Sequence, residues 1–517
     1  MQPEDHSRSV VATAGSTSRA AKKRSPDHVF VLVAIAVLLI ARIPLIPIRF
    51  FDPDEFQHAH AAWSVFKGLV PYRDFFEHHT PWYYFALSPF FHWFQVDQSF
   101  ASATHFLYFA RGLSLALTLL SVVLVFLVAR LGSNRKVGLL AGLFLAGQPV
   151  LIQKTLEIRP DVLALPFFLG GLWFLLRGLP KEENAAPASR RLPSFLGGGL
   201  CLGAAIMCTQ KMLFVLPGAF AALGLWVLTS RQWRLLGRSL AVLAALVGVA
   251  IPVAFTWGGF ALHGGGGQFI RNNFLLNAKW RMHSNEYLLV TLQTSWPILL
   301  LCLLGAAVSM VRLYRSRERY YGDVLLLGTL GGLIAGILVV PAAYRQYYIP
   351  PLTIACLFAA KGLSFLLELV QERARARLLV YALVPLLVWP VVDLARSFAG
   401  QDERQTARLR YVFEHTGPTD QVLDGWLGTG VFRPHPLYYF FMHGELRAML
   451  SQKDIDVCVD ALESGRVRPK LVALDDELPA LGARFVRFVL KNYVSADGLF
   501  YLRRPGLGRP DQESASP

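Results

Sequence analysis

The 517 residues carry 51 lysines and arginines against 35 aspartates and glutamates, a formal charge of +16, yet only 17% are charged and 54% are apolar. An ordinary soluble domain holds about 25% charge, and mean hydropathy here is +0.41, which excludes a soluble enzyme, a disordered chain and a fibrous one. Five scattered cysteines exclude a disulfide scaffold, so the chain reads as a polytopic membrane protein.

A spanning helix needs about 20 mostly apolar residues. Eleven such stretches are predicted, over 29–48, 106–129, 137–153, 161–177, 194–209, 212–230, 239–256, 288–311, 323–341, 348–368 and 378–395. The first follows Lys22-Lys23-Arg24 but leads into Arg42 and two prolines rather than a small-residue cleavage site, so it reads as a retained anchor. Basic residues set the orientation. The N-terminal tail and alternate loops hold 22 of them, and the intervening segments up to Arg345 hold ten. The expectation is a multi-pass protein of the cell (inner) membrane, with a cytoplasmic disordered tail (1–27) and an all-α membrane domain (28–396). A small α/β domain (397–505) then lies outside, ending in a loose tail (506–517). Its β-like runs are Gln421–Gly425, Leu471–Asp475 and Leu499–Arg503, with amphipathic helical stretches over Leu437–Leu450 and Leu481–Tyr493. The basic surplus is thus a topology signal, and nucleic acid is not an expected partner.

In this orientation the unusual polar residues fall on the outer face. The first outer loop opens with Phe51-Asp-Pro-Asp54-Glu55. There Asp54 or Glu55 is expected to cap an amphipathic helix whose Phe56, Ala59, Trp63 and Phe66 share a face suited to the membrane interface. Asp74, Glu77, His78 and His79 follow in the same loop. The turn after span three brings Glu157, Arg159 and Asp161, with Pro160 placed to begin span four. Lys211 sits in the short turn after span five. After span seven comes His263 and a four-glycine run, which meets neither nucleotide-loop pattern and reads as a hinge, with Arg271, Asn272 and Asn273 able to face a phosphate or a sugar. Tyr344, Arg345, Tyr347 and Tyr348 precede span ten. Lys211 and Arg345 are lone cations on a side poor in them. His58, His60, His78, His79 and Glu77 are competent ligands for a divalent metal, but no HExxH-type spacing demands one. Asp54 and His58 stand four apart, at pairing distance on a helix.

These features resemble the GT-C membrane glycosyltransferases. They are Asp54-Glu55 opening the first external loop, the interfacial helix, the Gly68-x-x-Pro71-Tyr-Arg-Asp74…His79-Thr-Pro-Trp-Tyr stretch, a second acid at Asp161 and an outer lysine. The resemblance covers 28–395 and is narrowest to the bacterial branch related to protein O-mannosyltransferases and the lipid A aminoarabinose transferase. It implies transfer of a sugar from a polyprenyl-phosphate donor to an extracytoplasmic glycolipid, polysaccharide or protein, with inversion. Asp54 is then the expected general base, with Glu55 and Asp161 in the catalytic set. Lys211, Arg345 and Tyr347 are expected to hold the donor phosphate, and Asp74, Glu77, His78, His79, Arg159 and Tyr344 to contact substrate. A lipid-linked polysaccharide polymerase or ligase shares the location and the lipid. A transporter calls for charges at span centres and related halves, of which there are few and none. A scaffold leaves the acids unexplained.

Overall fold

The computed structural model describes residues 26–180, 188–280, 286–315, 320–340, 343–370, 390–398 and 403–505, with Ala374, Arg377 and Val388. Nearly all of the expected tail 1–27, Lys181, Arg317, Arg319, Arg373, Arg375, most of the span expected over 378–395, and 506–517 lie outside the described residues.

Among the described residues, nine helices are long and apolar enough to cross a membrane. They coincide with nine of the eleven expected spans, and the chain is a multi-pass membrane protein. In chain order the helices needed below are α1 (Pro26–Ile40), α2 (Pro53–Phe66), α3 (Phe100–Gly132), α4 (Arg135–Ala146), α5 (Pro149–Lys154), α6 (Pro160–Gly178) and α7 (Ala188–Cys208). Then follow α8 (Val215–Thr229), α9 (Leu235–Leu262), α10 (Glu286–Arg315), α11 (Tyr321–Val339) and α12 (Ile349–Leu369). The stretch expected as one span over 137–153 is the broken pair α4–α5. Pro149 has no N–H to continue a helix, and Gln148 before it is extended.

Close backbone approach at small residues joins the buried side chains in holding the bundle. A Cβ on Gly199 would meet the Ala245 carbonyl across the α7–α9 seam, and one on Gly218 would meet the Gly328 carbonyl across α8–α11. Small residues at such seams are how helices pack where lipid supplies no hydrophobic drive. Leu228, Phe255, Leu262 and Leu338 face outward, exposed as lipid-contacting residues.

The C-terminal part adds α13 (Glu403–His415), α14 (Gln452–Glu463) and α15 (Ala483–Asn492) around a four-stranded sheet. Its strands are β1 (Val422–Asp424), β2 (Leu471–Ala473), β3 (Tyr493–Ser495) and β4 (Phe500–Arg503), in the order β1-β2-β4-β3. β1 and β2 are parallel and the other pairs antiparallel. The three predicted β-runs and the helix near Leu481–Tyr493 are present. The helix expected over Leu437–Leu450 is instead mostly extended chain with one short turn, Gly444–Arg447. Its Phe440, Phe441 and Met442 are all buried, against two different clusters, which a single helical face does not allow.

This C-terminal part sits on the first long loop. Phe76 N–H donates to Tyr438 O (2.8 Å), Tyr438 OH to Tyr72 O (2.7 Å), and the Gln405 side chain bonds both Phe51 N–H (2.8 Å) and Phe51 O (2.7 Å). As a result α2 is buried from Glu55 to Ser64. On the face expected to meet the membrane interface, Phe56, Ala59 and Trp63 are buried and Phe66 is half-buried.

Candidate active site

Three successive acids open α2, and each has a separate task. Proline at the first helical position leaves the residue before it to cap. Asp52 accepts from the Asp54 N–H while the Glu55 side chain reaches back to the Asp52 N–H, a capping box. The cap is therefore Asp52, not Asp54 or Glu55 as expected. Glu55 turns inward, fully buried, and receives Arg111 in a fork of 2.9 and 2.7 Å. Asp54, relieved of capping, lines a cavity of about 580 Å³, with 27% of its side chain open.

The cavity lies where helices on one end of the bundle meet the C-terminal part. The α5–α6 junction supplies its charged wall. Arg159, 3% exposed in its side chain, bonds Asp54 and also Glu157 (2.6 Å). Lys154 lies 2.8 Å from Asp52 and 3.1 Å from Glu157, and Arg49 lies 2.9 Å from Glu157. Glu157 is thus a buried hub for three cations. Lys211 pairs with Asp161 (2.7 Å) and stands 4.6 Å above the Tyr347 ring. Arg345 donates to Gln153 (2.7 Å), whose amide donates to Asp393 (2.5 Å). Six cationic side chains and four carboxylates line the cavity, with Glu157 and Asp161 behind them. Buried cations are stable where carboxylates pair with them in this way.

The two aspartates facing Arg159 are pushed apart. Burial drives the Asp54 carboxyl above the ordinary aspartate range, the charge of Asp52 adds to this, and Arg159 and Lys154 pull against it. Burial also opposes ionisation of Asp52, but Arg159 and Lys154 outweigh it and hold that carboxyl well below the ordinary range. Neighbouring carboxyls separated in this way are how acid and base roles are divided. Burial likewise keeps His78 and His79 neutral, His79 falling to about 3.

A family model described as dolichyl-phosphate-mannose-protein mannosyltransferase matches residues 89–257. No curated protein sequence matches significantly. Among solved structures, the chain is similar to ArnT from Cupriavidus metallidurans bound to undecaprenyl phosphate, at 13% identity and a TM-score of 0.60, covering 93% of this chain and 99% of that one. The apo state of the same protein gives 0.61, with 93% and 98% covered. The archaeal oligosaccharyltransferase AglB from Archaeoglobus fulgidus, in complex with an inhibitory peptide and a dolichol-phosphate, gives 0.57 at 12% identity, with 93% and 75% covered. The fold is that of the GT-C membrane glycosyltransferases.

On this GT-C frame the residues singled out in the sequence divide. Asp54, His78, His79, Arg159, Lys211, Tyr344, Arg345 and Tyr347 all line the cavity. Asp161 stands behind Lys211. Glu55 belongs to the buried frame and Glu77, fully buried, to the support of His79: it accepts from the backbone N–H of His78 (2.9 Å) and His79 (3.0 Å) and bonds His79 Nδ1 (2.9 Å). Asp74 lies outside the cavity, pinning its own turn through Arg73 and Val70 N–H. Asn272 and Asn273 are buried away from the cavity and Arg271 does not line it; Asn277 does, donating to His78 O (2.8 Å). Lys211 is ion-paired with Asp161, whereas Arg345 is held by the hydrogen bond to the neutral Gln153 amide. His58 bonds Tyr84 OH (3.2 Å) rather than Asp54, and His60 bonds Val431 O (3.0 Å). Of the five metal-competent side chains, Glu77, His78 and His79 bring their ligand atoms within 4.8 Å of one another, with both imidazoles in the neutral form that ligates.

Several cavity residues escaped the sequence reading. Pro53 was a usable signal for Asp52 as the cap. Arg49 and Lys154 had no local signature as cavity residues, since Arg49 reaches Glu157 and Lys154 reaches Asp52 across about a hundred positions. Trp426, Phe441, His443 and Glu445 come from the C-terminal part, where no motif marked them.

Proposed function

We propose that this chain transfers a sugar from a polyprenyl-phosphate donor to an acceptor hydroxyl at the extracytoplasmic face of the membrane, with inversion. The observation that carries the reading is Asp54: a carboxylate of raised basicity that does not cap, opening into a cavity beside Arg159, Lys211 and Arg345 where the helix ends meet the C-terminal part. Relatives of the same fold bind undecaprenyl phosphate and dolichol-phosphate, which supports a lipid phosphate donor. The acceptor oxygen attacks the anomeric carbon as the bond from that carbon to the phosphate oxygen breaks, and Asp54 takes the hydroxyl proton. The lipid phosphate departs as an anion, and Lys211 and Arg345 stabilise the developing charge in a site of low dielectric. A single displacement inverts the anomeric centre. The 22-to-10 basic asymmetry supports an orientation with the cavity and 397–505 outside, the tail 1–27 in the cytoplasm and 28–396 in the cell membrane. The test is purified full-length chain in nanodiscs with a panel of polyprenyl-phosphate sugars and envelope extract as acceptor. Product with inverted configuration by NMR and released polyprenyl phosphate are expected; retention, or no transfer from any member, overturns the reading.

Two results follow from the charges. Lys211→Ala or Arg345→Ala should raise the apparent donor KM and lower turnover, since a charge-assisted contact is worth about 1.5–3 kcal/mol, roughly 10- to 150-fold. Unchanged kinetics in both variants would remove the phosphate from these residues. The second result is a pH profile. A base must be ionised, so transfer should fall as pH drops through the raised pKa of Asp54. Arg159 lowers that pKa, so Arg159→Met should move the acid limb to higher pH. A limb that stays put or moves down would detach it from Asp54.

A further inference from the structure

The C-terminal part does more than roof the cavity: it presents an aromatic wall held in place by buried carboxylates. Trp426 and Phe441 meet edge to face with ring centres 6.0 Å apart, and His443 lies 5.7 Å from Trp426, 5.3 Å from Phe441 and 4.8 Å from Trp280. All four line the same cavity as Asp54. The polar edge of this wall is Glu445, which bonds His443 Nδ1 (2.8 Å) and accepts from Tyr344 OH (3.3 Å).

The loop carrying Trp426 is unusually constrained. One Asp475 oxygen accepts from the N–H groups of Gly425 (3.1 Å), Trp426 (2.6 Å) and Leu427 (3.3 Å), and the other from Glu477 and Leu478 (each 3.1 Å). Asp424 holds Gly430 N–H at 2.9 Å. Gly425 leaves no room for a Cβ against the Asp475 carboxylate, and Gly428, at φ +69°, abuts Phe56 of α2. A five-bond carboxylate cradle fixes the backbone on both sides of Trp426, so its ring is preorganised rather than free to collapse.

We infer that the half-buried Trp426, backed by the buried rings of Phe441 and Trp280, is a stacking platform for the carbohydrate ring of the acceptor, which makes the acceptor a glycan or glycolipid head group; this rests on the transferase reading above. A sugar ring has an apolar C–H face and a hydroxyl edge, and flat aromatic walls with a few fixed polar groups are the matching surface. The cationic residues come from the ends of the membrane helices and fit the lipid phosphate. The aromatic wall comes from the part of the chain outside the bundle, the side from which an acceptor arrives. The β1 edge of the sheet is closed to an added peptide strand, because Val422 N–H donates to Pro434 O (3.1 Å) and His435 Nε2 meets Asp424 O (3.4 Å).

The test is saturation-transfer NMR on the full chain in detergent, with methyl glycosides and a Ser/Thr-rich peptide as probes and undecaprenyl phosphate binding measured beside them. Glycoside affinity should fall at least tenfold in Trp426→Leu and largely return in Trp426→Phe, with undecaprenyl phosphate binding unchanged. Undecaprenyl phosphate should not displace the glycoside. Glycoside binding that ignores residue 426, displacement by undecaprenyl phosphate, equal loss of both ligands, or dependence on Trp426 for the peptide alone would each overturn the inference. Transfer measured beside binding separates the two readings: Trp426-dependent glycoside binding in a protein that transfers from no donor would overturn the transferase reading alone, and transfer with glycoside binding indifferent to residue 426 would overturn the platform alone.

Discussion

Asp54→Asn should lower transfer by about 10²–10⁴-fold, the usual contribution of general base catalysis, while the protein inserts and folds normally. The substitution keeps size and the backbone N–H that Asp52 accepts, and it leaves the capping box untouched, because the cap is Asp52. It removes the carboxylate that burial has made basic and leaves Arg159 with Glu157 as a close partner. Asp52→Asn is the matched control. Asparagine caps about as well as aspartate, so that variant should keep the helix start and lose the pair with Lys154 and the attraction to Arg159, with a much smaller loss of transfer. Transfer and melting are measured on the same nanodisc preparation. Wild-type turnover in Asp54→Asn would remove the catalytic role, and equal losses in both variants would reduce Asp54 to a member of the ion network.

What the sequence disclosed follows from the range of each interaction. Nine spans were legible because a run of apolar residues is a local property and lipid enforces its length. The break at Gly147-Gln148-Pro149 was missed, because hydropathy bridges it and the span over 137–153 was drawn straight through the proline. The outer-loop acids were found as a group, but periodicity does not tell which of three neighbours faces a cavity. That choice was made by Arg111, more than fifty residues along, and by Arg159, about a hundred residues along, where no spacing rule reaches. The run Tyr438–Met442 misled for a related reason. Its apolar residues are buried by docking on the first loop and not by forming one face of a helix. Trp426 and His443 entered the site through that same docking, so nothing near them in the sequence marked them as part of it.

Glu55 is the residue on which resemblance and geometry separate, and the difference is measurable. The resemblance puts it beside Asp54 in the catalytic set, whereas it lies fully buried and off the cavity, held by Arg111 and accepting the N–H groups of Asp52 (3.0 Å) and Ile158 (3.1 Å). Arg111 in turn donates to the carbonyls of Ile46, Arg49 and Phe50 and stacks 3.7 Å from the Phe51 ring. The pair therefore frames the whole approach to α2. Glu55→Gln leaves a buried guanidinium without its counter-charge, and breaking a buried pair from one side costs about 3–5 kcal/mol. That is a large share of the roughly 5–15 kcal/mol that keeps a domain folded. The expected result is a sharp fall in melting temperature and in yield of folded protein, with turnover per folded molecule within a few-fold of the wild type. Arg111→Gln should cost less in the Glu55→Gln background than alone, because neighbours sharing one interaction are not additive. A Glu55→Gln protein that melts like the wild type but turns over a hundredfold more slowly would return Glu55 to the chemistry and leave Arg111 as its support.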